Sequence, residues 1–247
     1  MTTLALYNLK GGVGKTAASV NLAYLAAADG LKTLVWDLDP QGSTSFYLKV
    51  KSSDKNDSEK ILADKMNVRD AIKDSPFENL WVIPADMSAR QADIVLDNMR
   101  KSKKRIKLIL NQLKDFDLII LDCPPGITLL HENVFAAADY ILMPNIPTTL
   151  SIRSYESVKN YFKENDLDNS IIKCFFSMVD HRKNLHHEVM QQFYNNKIFL
   201  KNYIPYLSDV EKMGSHQSPL FEYANSSYAA GCYRDLWKEV QKNCLTK

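Results

Sequence analysis

The sequence predicts an α/β fold built on one mostly parallel, helix-covered sheet. Short β-rich runs alternate with stretches long enough for helices, those runs are almost wholly apolar, and a glycine-rich turn separates the first run from the first helical stripe. With 247 residues, 45% apolar and 24% charged, the chain can bury one sizeable core, which excludes disordered and fibrous classes. Its eight Gly and nine Pro are scattered without a linker-like cluster, so a single domain over 1–247 is expected.

Residues 3–9 form an apolar run that ends at the glycines, and residues 17–28 place Val20, Ala23, Tyr24 and Ala27 on one helical face. Further β-rich runs lie at 33–36, 80–83, 118–121, 140–143 and 171–179. Residues 49–60 are polar, which predicts a mobile surface loop. Residues 106–116 put Ile106, Ile109, Leu110, Leu113 and Phe116 on one face, so a helix is expected to cover the sheet just before the run at 118–121. Ala229, Tyr233, Leu236, Trp237 and Val240 make a last apolar stripe, with Arg234, Lys238 and Lys242 repeating every four residues along its edge. No internal repeat is present.

The net charge of +2 is no polycation, but it is unevenly spread. Residues 1–98 carry 11 Lys/Arg against 13 Asp/Glu, whereas residues 99–247 carry 20 against 16, so a polyanion site is expected in the later part. Cys123, Cys174, Cys232 and Cys244 are too few and too widely spaced for a disulfide framework or a paired-cysteine metal site, and are read as reduced. No run approaches the roughly 18 apolar residues of a membrane span, and the first residues lack the features of a secretory signal, so a cytoplasmic protein is expected.

Lys10-Gly11-Gly12-Val13-Gly14-Lys15-Thr16 lies between the first strand and first helix, where backbone N–H groups and the positive helix end can hold a polyphosphate. Lys15 is placed to reach the β- and γ-phosphates and the Thr16 hydroxyl to ligate Mg²⁺. Leu9 stands where the ordinary phosphate-loop pattern has its first glycine, and a second lysine, Lys10, stands at the mouth of the loop. This string resembles the deviant Walker A motif of the ParA/MinD group of P-loop ATPases. The resemblance implies a P-loop NTPase fold of the deviant Walker A type, ATP and Mg²⁺ as cofactors, and an ATP-dependent sandwich homodimer in which Lys10 reaches into the partner's site.

Asp37-Leu38-Asp39-Pro40-Gln41-Gly42 follows the second strand, at the edge where open α/β sheets bind ligands. The family resemblance makes it switch I, with Asp39 orienting the attacking water and Asp37 supporting the metal shell. Four apolar residues, 118–121, end in Asp122-Cys123-Pro124-Pro125-Gly126, a Walker B pattern whose Asp122 would hold Mg²⁺ through water. Asp117, at that strand's start, reads as structural, and Cys123 as a small core-edge residue rather than a nucleophile. Positioned water, Mg²⁺ and lysine charge suffice for a loose phosphoryl transition state, so slow intrinsic ATP hydrolysis is expected.

Residues 176–185 look like the T-M-x-D-x-R-x-N-L segment of the Soj/ParA partition ATPases, and Ile204-Pro205 with residues 214–219 match their base-binding stretch. Pro205 and Met178 are therefore expected at adenine; Asp180 is a further candidate. Ala17 replaces the family's second threonine, keeping the N–H to the α-phosphate but not the hydroxyl, and Leu150-Ser151-Ile152-Arg153-Ser154-Tyr155 departs from the usual A-L-E-G-L. No helix-turn-helix precedes the loop, so the short form is expected. The resemblance implies nonspecific DNA binding, nucleoid association and a ParB-like activator, in service of plasmid, chromosome or other cargo.

Two basic features compete for DNA. Arg100, Lys101, Lys103, Lys104, Arg105 and Lys107 form a dense run that reads either as a phosphate-contacting patch or as the solvated start of a covering helix. Arg234, Lys238 and Lys242 form the second patch. A MinD-like membrane-cycling ATPase is the alternative; it needs a free amphipathic tail, whereas the last stripe reads as core-facing, so a membrane partner is not expected. An iron-protein-like electron carrier would need a cluster-binding cysteine pair that the sequence does not offer, and a dethiobiotin-synthetase-like ligase would not account for the match beyond residue 170.

Overall fold

The computed structural model describes residues 1–52, 57–99 and 102–245. β1 (Thr2–Leu6) leads into α1 (Lys15–Ala28), followed by β2 (Thr33–Asp37), α2 (Ser43–Tyr47) and α3 (Asp57–Leu62). β3 (Lys73–Asp74), β4 (Leu80–Ile83), α4 (Ala92–Asp97) and α5 (Arg105–Leu110) precede β5 (Leu118–Asp122). Then come α6 (Leu129–Ala137), β6 (Tyr140–Asn145), α7 (Thr149–Glu164) and β7 (Ile172–Phe176). After β7 come α8 (Asn184–Phe193), the single turns α9 (Ser208–Glu211) and α10 (Met213–His216), and α11 (Tyr228–Val240).

The strands form one sheet in the order β3-β4-β2-β5-β1-β6-β7, parallel throughout except for β3 against β4 at one edge. Ile119 and Leu121 join Ala5, Leu34 and Trp36 in the core on one face, while Leu118 and Ile120 join Leu4, Leu6 and Val35 on the other. Burial on both faces is why these strands read as continuous apolar runs rather than as alternating ones. Each fully buried Leu or Ile contributes roughly 1.5–3 kcal/mol, so the central strands anchor the fold. α11 lies on the second core, with Ala229, Tyr233, Leu236, Trp237 and Val240 all buried. The Trp237 indole donates to Asp29 at the end of α1 at 2.7 Å.

Register fixes the functional edge. Asp122 pairs with Leu6 on one side and with Asp37 on the other, so the start of the glycine loop and two carboxylates emerge at one level of the sheet. The β1–β6 ladder is relieved at Pro144, which has no N–H to give. There the Asn8 side chain donates to the Pro144 carbonyl at 2.8 Å, and its own carbonyl accepts from Lys10 N at 2.9 Å, tying the loop's first turn to the sheet.

Several expectations change. The helix expected over 106–116 ends at Leu110; Leu113 and Phe116 stay buried because i→i+3 turns carry the chain onward. Within the stretch 49–60, residues 53–56 lie outside the described residues, but α3 begins at Asp57 and buries Ile61 and Leu62, so that part is not a loop. Its Ser58 N donates to Asp86 at 2.9 Å, a contact 28 residues distant that local composition does not reveal. The run 171–179 stops being strand at Phe176.

Candidate functional site

The glycine loop closes on the end of α1. Gly14 opens the helix at a φ of 90°, no side chain caps it, and the first helical bond runs from Ala18 N to Gly14 O at 3.0 Å. Gly12 also has positive φ, at 69°, a conformation that side chains strain to adopt. The first-turn N–H groups are thus left without internal partners, beside a cavity of about 600 Å³ lined by Gly11, Gly12, Gly14, Lys15, Thr16 and Ala17. An uncapped helix end of this kind binds anions through its amides and dipole.

Charge is concentrated beneath the loop. Asp122 is fully buried; its Oδ1 accepts from Ser19 Oγ at 2.8 Å, and its Oδ2 from Thr16 Oγ1 at 3.0 Å and Thr44 Oγ1 at 2.7 Å. Asp37, equally buried, accepts from Ser45 N at 2.9 Å and Ser45 Oγ at 2.7 Å through Oδ2, and from Asp39 N at 3.3 Å through Oδ1. Burial pushes the pKa of both carboxyls up, and for Asp37 the neighbouring Asp122 charge adds to this. Lys15 is buried and donates to the Lys10 carbonyl at 3.0 Å. Burial holds its pKa below the ordinary lysine value, with Asp122 and Asp39 pulling it back up.

Two adjacent buried carboxylates, with Lys15 beside Asp122, leave a shortage of positive charge behind Thr16 in the cavity lining. A divalent cation would relieve it there, and Thr16 would be its ligand with Asp122 and Asp37 as outer partners. The described residues contain no group of three or more His, Cys, Asp or Glu able to hold a metal alone. Such a cation would need substrate oxygens and water to complete its shell.

Asp39 lines the same cavity and its carboxylate accepts from Gln41 N at 2.9 Å, which fixes the turn that follows β2. Lys10 and Val13 do not line the cavity: Lys10 contributes its carbonyl to Lys15, and Val13 its carbonyl to Ser177 Oγ at 2.7 Å. On the far wall lie Met178, Pro205, Tyr206, Leu207 and Val210. Met178 sits past the end of β7 at a φ of 52°, turned out of the strand it was expected to continue. Pro205 is held beside it, because Val179 N donates to Ile204 O at 3.1 Å and Tyr206 N to Val179 O at 2.9 Å. Asp180 is not at this wall; it pairs with Arg182 at 2.9 Å. Asp117 accepts from Lys32 N at 2.9 Å, a structural contact, and the buried Cys123 has its thiol pKa pushed up by burial, which disfavours a thiolate nucleophile.

Pro124 and Pro125 form the front of the cavity. Their turn is held by Tyr7 OH, which donates to Gly126 O at 2.9 Å, and by His131. Thr128 N donates to His131 Nδ1 at 3.1 Å, which places the ring proton on Nε2, 3.0 Å from Pro124 O. Burial lowers the His131 pKa, so the folded chain takes up a second ring proton, on Nδ1, less readily than the unfolded chain does. Stability from this residue is therefore full above the unfolded value near 6.5 and falls as pH drops below it. His131→Gln is expected to cost about 1–3 kcal/mol at pH 7.5, with the gap to the parent narrowing at pH 5.5, as read from urea midpoints. A gap that widens at pH 5.5 refutes the neutral-histidine assignment.

Motif reading missed Ser19, Thr44, Ser45, Ser177 and His131. Only Ser19 carries a local signal, because it lies one helical turn beyond Lys15. The basic patches are not free arrays of cations. Arg105 is buried, donating to the Ile61 and Leu62 carbonyls and pairing with Asp64 at 2.7 Å, and Lys103 pairs with Glu132 at 2.9 Å. Arg100 and Lys101 lie outside the described residues. Arg234 donates to the Asn225 carbonyl and side chain and packs over Phe221, and Lys238 pairs with Asp235 at 3.2 Å. Lys242 is exposed but engaged within the chain.

A family model described as an AAA domain matches residues 1–174. Over 249 residues the chain is 34% identical to sporulation initiation inhibitor protein Soj of Bacillus subtilis, covering 97% of this chain and 98% of that one. Its fold superposes with a TM-score of 0.86 on a plasmid partition protein of Borrelia burgdorferi B31 bound to AMPPNP, at 18% identity and 98% coverage of both chains. A TM-score of 0.80 relates it to the septum site-determining protein MinD of Pyrococcus horikoshii complexed with Mg-ADP, at 21% identity, covering 98% and 96% of the two chains.

Proposed function

The chain belongs to the AAA domain family and, within it, to the Soj/ParA partition ATPases, and from that premise we propose that it is an Mg²⁺-dependent ATPase whose ATP-bound form is a homodimer that binds DNA nonspecifically. The observation that carries this reading is the uncapped end of α1 beside a cavity lined by Lys15, Thr16 and Asp39, with the buried Asp122 behind Thr16 and Asp37 paired to it across the sheet. The loop amides bind the polyphosphate, and Lys15 leaves the Lys10 carbonyl to meet the β- and γ-oxygens. Mg²⁺, when bound through Thr16 with Asp122 and Asp37 behind it, supplies the charge that neutralises those oxygens. Asp39 orients the attacking water, and Met178 and Pro205 pack against adenine. The Lys10 side chain, which does not line the cavity of its own chain, is assigned to the partner's γ-phosphate.

Hydrolysis is slow until a ParB-like partner completes the site, and the cargo is a plasmid, a chromosome or another assembly near the nucleoid. DNA binding rests on family membership and on the positive balance beyond residue 98, since Arg105 and Arg234 are committed within the chain. The membrane-cycling alternative is disfavoured because α11 buries its apolar face. Asp39→Ala is expected to bind ATP, remain dimeric and lose at least about 90% of turnover, as seen by light scattering and phosphate release. A variant that stays monomeric at saturating ATP overturns the sandwich dimer.

A further inference from the structure

The two buried carboxylates are held by adjacent residues of one short helix. Thr44 and Ser45 lie on α2, directly after the Asp39 turn; Thr44 donates to Asp122 and Ser45 to Asp37. Ser45 has a second duty, since its hydroxyl also accepts from Ala85 N at 3.2 Å. Thr44, fully buried, makes the shortest of the three hydroxyl contacts to Asp122. The other two donors, Thr16 and Ser19, belong to α1 and the phosphate loop, so Thr44 is the donor that joins Asp122 to the segment carrying Asp39.

We propose that Thr44 is a positioning residue for the metal step: its hydroxyl keeps Asp122 turned and charged, and thereby couples arrival of Mg²⁺ with nucleotide to the order of the Asp39 segment. The inference rests on the nucleotide reading above. Hydroxyl donors stabilise the ionised carboxylate, and a carboxylate at this depth has few other sources of such help. A donor on α2 also gives the switch segment a contact whose strength depends on how the metal draws on Asp122.

The test uses the full chain with ADP as probe, in EDTA and across a Mg²⁺ titration, with hydrogen exchange followed over residues 39–48. In the parent, Mg²⁺ is expected to tighten ADP and slow exchange in that segment. Thr44→Val is expected to match the parent within about twofold in EDTA, to raise the Mg²⁺ concentration for half-saturation about ten- to hundredfold, and to lose the Mg²⁺-induced protection. Thr44→Ser should restore both. Ser19→Ala should weaken Mg²⁺ dependence while leaving the protection in place, and it keeps the test decisive if Thr44→Val folds poorly and Thr44→Ala must replace it. Parent-like Mg²⁺ behaviour in Thr44→Val, or equal losses with and without Mg²⁺, overturns the positioning role alone. A parent chain that binds no nucleotide overturns the ATPase reading and this inference together.

Discussion

Replacing Lys15 with alanine is expected to lower ATP affinity by about two to three orders of magnitude while leaving the fold intact. Among the residues lining the cavity Lys15 is the one cation, buried to 7% exposure, and its ammonium donates to the Lys10 carbonyl, a neutral acceptor that a bound polyphosphate would replace. A charge-assisted contact in a desolvated site is worth roughly 3–4 kcal/mol on truncation, which sets the size of the loss. Lys15→Arg is not expected to rescue it, because a bulky planar guanidinium and a compact ammonium are not interchangeable at a buried site. Calorimetric titration with ATP and Mg²⁺ measures the effect, and an unfolding midpoint near that of the parent shows that the loss is local. Affinity within about threefold of the parent removes Lys15 from the phosphate site.

The loop and its acids were legible because each is local: a strand, a glycine string with a lysine and a threonine, then acids at strand ends. β1, β2 and β5 announce themselves because a parallel strand buried on both faces has no polar side to dilute it. What stayed hidden depends on distance in sequence. Thr44 reaches Asp122 across 78 residues and Ser177 reaches the loop carbonyl of Val13 across 164, and no periodicity encodes either pairing. Arg105 misled for a related reason. Within the chain it reads as one more cation in a solvated run, whereas the fold buries it against the carbonyls that end α3. The apolar run 171–179, broken only by Lys173 and Ser177, extends past the end of β7, while the positive φ of Met178, which carries the chain out to the cavity, is a tertiary demand that its side chain does not announce.

The carboxylate pair yields the second large effect, one of stability. Without metal, the folded chain must hold Asp37 and Asp122 side by side, both buried, with the buried Lys15 beside Asp122. The Asp37 pKa is raised by burial first and by Asp122 second, above its unfolded value, so the folded state binds a proton that the unfolded state has released. The favourable contribution of that proton is complete below the unfolded carboxylate value near 4 and is lost as pH rises through the folded value. Asp37→Asn keeps an oxygen for Ser45 but carries no charge. It is therefore expected to be more stable than the parent by about 2–4 kcal/mol at pH 8 in EDTA, and no more stable at pH 4. This slope is opposite in sign to that of His131, so the two are separable by comparing each variant with the parent across the same pH range. Urea unfolding at both pH values measures it, and a variant less stable than the parent at pH 8 refutes the strained pair. Mg²⁺ with ADP should stabilise the parent far more than Asp37→Asn, because only the parent holds the surplus negative charge that the cation relieves. On this account the instability of the metal-free site and its affinity for Mg²⁺ have one origin, and a substitution that removes the first weakens the second.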